Sequence, residues 1–186
     1  MTSRYQLVAI AEELKVTLEK IDESQLAALS AAIREAQRVF VAGAGRSGLM
    51  MRAFAMRLTH LGVSTHVVGD VTTPAIGYGD LLLIGSGSGA TASLVSHAAK
   101  AHLLGAHVGL VTIRPDTPIA REASVVVTIP APTPKLEQPT GYASIQPMGA
   151  LFEQSLLLVL DGLILALMSE TDQDAAALFA RHANLE

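Results

Sequence analysis

The sequence predicts an α/β fold built on a parallel sheet, and three features carry that prediction. Five short apolar runs, RVFVA (38–42), STHVV (64–68), DLLLI (80–84), HVGLVTI (107–113) and SVVVTI (124–129), are rich in β-branched residues or Leu and lack a clean polar/apolar alternation. Strands buried on both faces read this way. Helical stretches, or a loop after the second run, separate the first four with mostly short connections, the rhythm of strand–helix–strand units. Two strand-to-helix turns, GAGRSG (43–48) and GSGSGAT (85–91), are rich in glycine.

The remaining elements are taken in chain order. Residues 5–20 and 24–36 carry apolar positions at helical spacing, and Asp22-Glu23-Ser24 supplies a cap signal for the second helix. The sheet core then occupies 38–130. Pro130, Pro132, Pro134, Pro139 and Pro147 are too many for a helix interior or a central strand, so 130–147 is a loop long enough to act as a lid or an inter-subunit arm. MGALFEQSLLLVLDGLILALM (148–168) is a long helix, and a polar helix runs from about Asp174 to His182, so that C-terminal helices fill 148–183. No internal repeat interrupts this plan, and 1–186 reads as a single domain.

A chain of 186 residues builds one full core but not a cofactor domain beside a separate catalytic domain. Half of its residues are apolar and 16% are charged, so part of its surface is expected to be buried again against copies of itself. A net charge of −4 without a Lys/Arg cluster argues against nucleic acid or an anionic membrane as the main partner and leaves a small ligand. The absence of cysteine removes disulfides, a thiolate nucleophile and a cysteine metal site. Glu12 and Glu13 fall where a signal peptide would need its apolar core, which makes a cytoplasmic location the expectation. Glu153, Gln154 and Asp161 punctuate the apolar run near the C-terminus, which therefore reads as a core helix and not as a membrane span.

Glycine lets a ligand approach the main chain, and the N–H groups at the start of the following helix attract an anion. Each glycine loop is accordingly a phosphate-site candidate, the first through Gly45, Arg46 and Ser47, the second through Ser86, Ser88 and Thr91. The first alone matches G-x-G-x-x-G, and Asp70 lies about where a ribose-binding acid would stand, so an NAD site is one alternative. A dinucleotide needs only one such loop, however. In a doubly wound sheet of order 2-1-3-4-5 the loops after strands 1 and 3 flank the crevice where the chain direction reverses, and these two loops are those two. A sugar phosphate held by hydroxyls and N–H groups fits that crevice. Glycines that merely permit tight turns, Ser88 as a helix N-cap and an exposed Arg46 are the simpler readings of the same residues.

GAGRSG, AFAMRLTHLG, TTPAI, GSGSGAT and PMGALFE, in this order, resemble the 6-phospho-3-hexuloisomerase family, single-domain members of the sugar isomerase (SIS) fold. The resemblance runs from about residue 5 to 170. It implies a five-stranded parallel sheet between helices, a homotetramer, no cofactor, and interconversion of 3-hexulose 6-phosphate with fructose 6-phosphate in formaldehyde fixation by the ribulose monophosphate pathway. Ala90 departs from the Glu that relatives often carry after S-G-S-G; losing an acid beside an anion site is harmless. Another sugar-phosphate isomerase on the same fold, for example one for arabinose 5-phosphate, and a non-catalytic sugar-phosphate-binding module are the alternatives.

Moving a carbonyl from C3 to C2 takes a base, an acid and an enediol intermediate, with no metal or redox group. Glu153, on the first turn of an otherwise apolar helix just behind the Pro-rich loop, is the candidate base; its simpler role is to complement the helix dipole. His60, in RLTHLG at a helix C-terminus, is the candidate acid or ring-opening group and lies too far along its helix to serve its own crevice, so it is expected to serve a neighbouring subunit. Gln146 is placed to bond a sugar hydroxyl or to stabilise its loop. His66, His97, His102, His107 and His182 read as structural, Gln154 and Asp161 as one helix face at the oligomer interface, and Met50, Met51 and Met56 as core filler.

Overall fold

Odd and even residues of the strands part to opposite faces, and both faces are covered, which is why the runs show no alternation of polarity. The structure is a computed structural model that describes residues 3–132 and 143–185. Residues 133–142, and with them most of the Pro-rich segment expected to form a lid or arm, lie outside the described residues. The elements are α1 (Ser3–Leu18), α2 (Glu23–Glu35), β1 (Val39–Gly43), α3 (Gly45–His60), β2 (Thr65–Val67), β3 (Leu81–Gly85), α4 (Ala92–Leu103), β4 (His107–Thr112), β5 (Val125–Thr128), α5 (Ala150–Glu170) and α6 (Ala175–Phe179). All five strands are parallel, in the order β2-β1-β3-β4-β5, so the expected α/β class and strand order hold.

On one face Val39, Val41, Leu81, Leu83 and Val111 meet Leu29 and Ile33 of α2, Met51, Phe54 and Leu58 of α3, and Leu156, Leu160 and Leu163 of α5. On the other, Phe40, Ala42, Leu82, Ile84, Val108 and Leu110 meet Leu94, Ala98 and Ala101 of α4. Each fully buried aliphatic or aromatic side chain contributes about 1.5–3 kcal/mol, so the two layers are the main source of stability. The long apolar run near the C-terminus is indeed a core helix: α5 buries Leu151, Phe152, Leu156, Leu160 and Leu163 while Leu158 and Leu165 face outward. Of the three methionines expected to fill the core, Met51 is buried and Met50 packs partly against it, whereas Met56 is 48% exposed. Met56 lies five positions beyond Met51, about 140° around a helix, which turns it to the outside.

At the opposite end of the strands from the glycine loops, the starts of β1 and β3 are tied by an ion pair whose carboxylate is buried. Arg38 donates from Nε to Asp80 Oδ1 at 2.9 Å and from Nη2 to Oδ2 at 2.6 Å, and the Gly77 N–H donates to the same carboxylate at 2.8 Å. Burial by itself raises the Asp80 carboxyl, but the hydrogen bonds from Arg38 and Gly77 and the charge of Arg38 outweigh it and hold the group below its usual range. A carboxyl depressed in the folded state stabilises the protein above its unfolded-state value, and that stabilisation is lost as pH falls through the folded-state value. Asp80→Asn is therefore expected to lower the thermal unfolding midpoint at pH 7, with the gap to the wild type closing as pH falls through the carboxylate range; a gap independent of pH down to acid unfolding would contradict this origin.

Candidate active site

Where β1 and β3 end, Gly43 and Gly85 lie opposite each other across the pair. A Cβ on Gly43 would stand 2.8 Å from Gly48 Cα, so α3 can begin directly against the strand end only because both positions are glycine. Gly45 turns the chain at φ +55° into α3. Between the two loops and the start of α5 lies a cleft of about 480 Å³. Gly45, Arg46 and Ser47 form one wall, and Ser86, Gly87, Ser88 and Thr91 the other. Leu94, Ile113 and Phe152 supply an apolar floor, while Pro147, Met148, Gly149 and Glu153 close the remaining side.

Three helix N-termini converge here. The first turns of α3 and α5 line the cleft through Arg46, Ser47 and Glu153, and α4 does so through Thr91 and Leu94. None of the three carries a side-chain cap, whereas α2 and α6, which begin away from the cleft, are capped by Asp22 and Asp174. Uncapped N-termini leave N–H donors and a partial positive charge directed at whatever occupies the space, which favours an anion. The serines add to this. Ser86 is buried, and its Oγ accepts from the Gly89 N–H at 3.2 Å, which leaves its own O–H to donate. Ser88 is not the N-cap of α4, because the helix starts at Ala92 with Thr91 in the cap position; the Ser88 Oγ accepts from the Ala90 N–H at 3.4 Å.

Arg46 and Glu153 face each other across the cleft mouth, Nη1 to Oε2 at 2.9 Å. Arg46 is half exposed and Glu153 mostly shielded, with side-chain exposures of 55% and 19%. The sequence placed Glu153 in apolar surroundings; the fold supplies it with a cation from a helix more than a hundred residues earlier. Arg46 is thus the partner of the candidate base, and it lines the cleft as well.

Two of the expected site residues lie elsewhere. Gln146 does not line the cleft: it is 9% exposed, and its Nε2 donates to Glu13 Oε2 of α1 at 3.0 Å. His60 stands at the other end of α3, a helix of 16 residues and so about 24 Å long. Its ring is buried, 5.1 Å from the ring of His182, with Nδ1 3.5 Å from Arg57. Burial, then His182 and Arg57, push its imidazole below the ordinary histidine value. Asp70, the acid of the dinucleotide alternative, pairs with Arg52 at 2.8 Å and lines a separate hollow beside β2. Gln154 lies on the same side of α5 as Leu158, Asp161 and Leu165 but, unlike those exposed residues, is half-buried, with its Oε1 buried and without a partner among the described residues.

Sequence alone assigns no site role to the floor residues Ile113 and Phe152, the rim at Met148 or the anchoring acid Glu13, since each acquires that role through contacts distant in the chain.

The likenesses of the chain to known proteins agree with this geometry. Residues 32–158 match the SIS domain. A Bacillus subtilis protein named 3-hexulose-6-phosphate isomerase is 44% identical over 185 residues, covering 100% of this chain and 99% of its own. The Mycobacterium gastri protein of the same name is 46% identical over 97% of this chain and 89% of its own. A crystal structure from Methanococcus jannaschii, for which the function of a 3-hexulose-6-phosphate isomerase was inferred, superposes with a TM-score of 0.84 at 30% identity, covering 98% of this chain and 99% of that one. With a cleft of this build between its two glycine loops and likeness along its whole length, the chain belongs to the SIS-domain family.

Proposed function

We propose that this cleft interconverts D-arabino-3-hexulose 6-phosphate and fructose 6-phosphate, the aldose–ketose type isomerisation of the ribulose monophosphate pathway. The observation that carries the reading is the convergence of three uncapped helix N-termini, two of them reached through serine-bearing glycine loops, on a space that also holds one shielded carboxylate. Relatives named 3-hexulose-6-phosphate isomerase at 44% and 46% identity support the choice of this phosphosugar over arabinose 5-phosphate and over a binding module without activity.

In this reading the phosphate is held by the N–H groups at the starts of α3 and α4 and by the hydroxyls of Ser47, Ser86, Ser88 and Thr91, with Gly45 allowing close approach. Glu153 takes the C2 proton. The electrons of that C–H bond form the C2=C3 double bond of an enediol as the C3 carbonyl oxygen gains a proton. Return of a proton to C3, with loss of the C2 hydroxyl proton, leaves the carbonyl at C2. Arg46 orients the Glu153 carboxylate and lies where it can also neutralise phosphate or enediolate charge. C2 is oxidised as C3 is reduced within the one molecule, so there is no net redox change and the reaction calls for no cofactor. His60 enters only as a residue of a neighbouring subunit, because its own cleft lies at the far end of α3.

The same reading includes a homotetramer in the cytoplasm, where phosphorylated sugars are found. Association is supported by the outer face of α5, where Leu158 and Leu165 are 42% and 66% exposed, and by Tyr5 and Val8 on α1 at 60% and 56%.

Loss of one hydrogen bond to a charged group costs about 1.5–3 kcal/mol, so Ser88→Ala is expected to raise KM for 3-hexulose 6-phosphate and the inhibition constant of inorganic phosphate about 10- to 150-fold. Unchanged values in both Ser86→Ala and Ser88→Ala would move the phosphate elsewhere. Glu153→Gln keeps shape but cannot accept a proton; kcat should fall about 10²- to 10⁴-fold with KM little altered, and exchange of the C2 proton into deuterated water should slow in step. Near-normal turnover would assign the base to another residue. For His60, mixing inactive His60→Ala with inactive Glu153→Gln under conditions that exchange subunits should restore part of the activity. Full activity of His60→Ala alone, or no recovery after subunit exchange is confirmed by mass, would remove His60 from the site.

A further inference from the structure

Glu13 lies on α1, outside the cleft, yet three groups from residues 144–146 converge on its carboxylate. The Ile145 N–H donates to Oε1 at 2.8 Å, and the Ser144 hydroxyl and the Gln146 amide donate to Oε2 at 2.8 and 3.0 Å. The Gln146 N–H closes back on Ser144 Oγ at 3.0 Å. More than 130 residues of chain separate the two partners, so this contact belongs to the tertiary fold and not to a local turn.

The next three residues of the chain form the rim of the cleft. Pro147, Met148 and Gly149 line it, and Gly149 O accepts the Glu153 N–H at 3.0 Å in the first turn of α5. Met148 stands at φ 56°, in the left-handed region that a residue with a long side chain enters only where its surroundings hold it. Its own side chain is 74% exposed and supplies no such hold. The anchorage two residues earlier does.

We infer that Glu13 is a positioning residue of the active site: by gripping residues 144–146 it fixes the left-handed turn at Met148 and so sets where α5 begins and where the Glu153 carboxylate lies. Burial tends to raise the Glu13 carboxyl, but the hydrogen bonds from Gln146, Ile145 and Ser144 outweigh it and hold the group below the usual carboxylate range, so that it grips as an anion. The groups assigned to the phosphate, by contrast, follow β1 and β3 and belong to the loops and the starts of α3 and α4, not to α5. The inference rests on the reading of Glu153 as the base, and its signature is a separation between the two halves of the site.

The test uses the full-length protein and three variants, Glu13→Gln, Gln146→Glu and the two combined. Glu13→Gln removes the charge and one of the two oxygens that accept three donors, Gln146→Glu sets two carboxylates against each other, and the combination restores one carboxylate and one amide in reversed order. Misplacing a reacting group by about 1 Å costs as much as 10²-fold in rate, so each single variant should lose about 10- to 100-fold in kcat on 3-hexulose 6-phosphate while the inhibition constant of inorganic phosphate stays at the wild-type value. The combined variant should recover most of the loss. Hydrogen exchange supplies a readout without turnover: the amides of Ala150 and Glu153, which donate to Pro147 O and Gly149 O, should lose protection in Glu13→Gln while those of α4 keep theirs. Should Glu13→Gln fail to fold, Ser144→Ala removes one of the three bonds and should show the same pattern more weakly. Wild-type kcat in the folded single variants, equal losses in kcat and phosphate binding, no recovery in the combined variant, or unchanged protection at Ala150 and Glu153 would each overturn the inference. An inactive wild type with the predicted change in protection would instead overturn the functional reading and leave the grip of Glu13 standing.

Discussion

The close approach of α3 to the end of β1 is the constraint on which the site depends. Gly43 and Gly48 touch so nearly that a single methyl group on either would meet backbone, at 2.8 Å in one case and 2.7 Å in the other. Because of that contact the helix starts directly at the strand end and its first N–H groups open onto the space beside β3, whose own last residue, Gly85, faces Gly43 in register. The parallel sheet does the rest, since it delivers both loops to the same edge. An anion site made of main-chain groups needs this geometry and very little charge, which suits a chain with 16% charged residues.

α5 serves the fold and the site at once. Its inner face is part of the larger hydrophobic layer, and its first turn brings Glu153 against Arg46. A carboxylate buried without a partner would cost several kcal/mol, whereas an ion pair at the cleft mouth provides a counter-charge at a small cost and leaves the cation available to a substrate anion. The outer face of the same helix is left with leucines in contact with solvent, so one element carries core contacts, part of the cleft lining and an exposed apolar face. Coupling of this kind makes the placement of its first residue matter, and that placement is governed from α1.

The sequence by itself determined the strand count, the parallel class and the two glycine loops, because these are local: β-branched runs, glycine at strand ends and cap residues act within a few positions of themselves. It also marked Ser86, Ser88, Thr91, Arg46 and Glu153, which the fold brings to one cleft, since the loops that end the strands and the turns that begin the helices can be read locally. Only the tertiary structure decided what those residues meet. Arg46 finds Glu153, Gln146 turns from the cleft to Glu13, and the buried ring of His60 meets that of His182. These outcomes depend on contacts between positions tens to more than a hundred residues apart, whose distance in space is set by how the helices pack on the sheet, and no periodicity or spacing along a single chain encodes that distance.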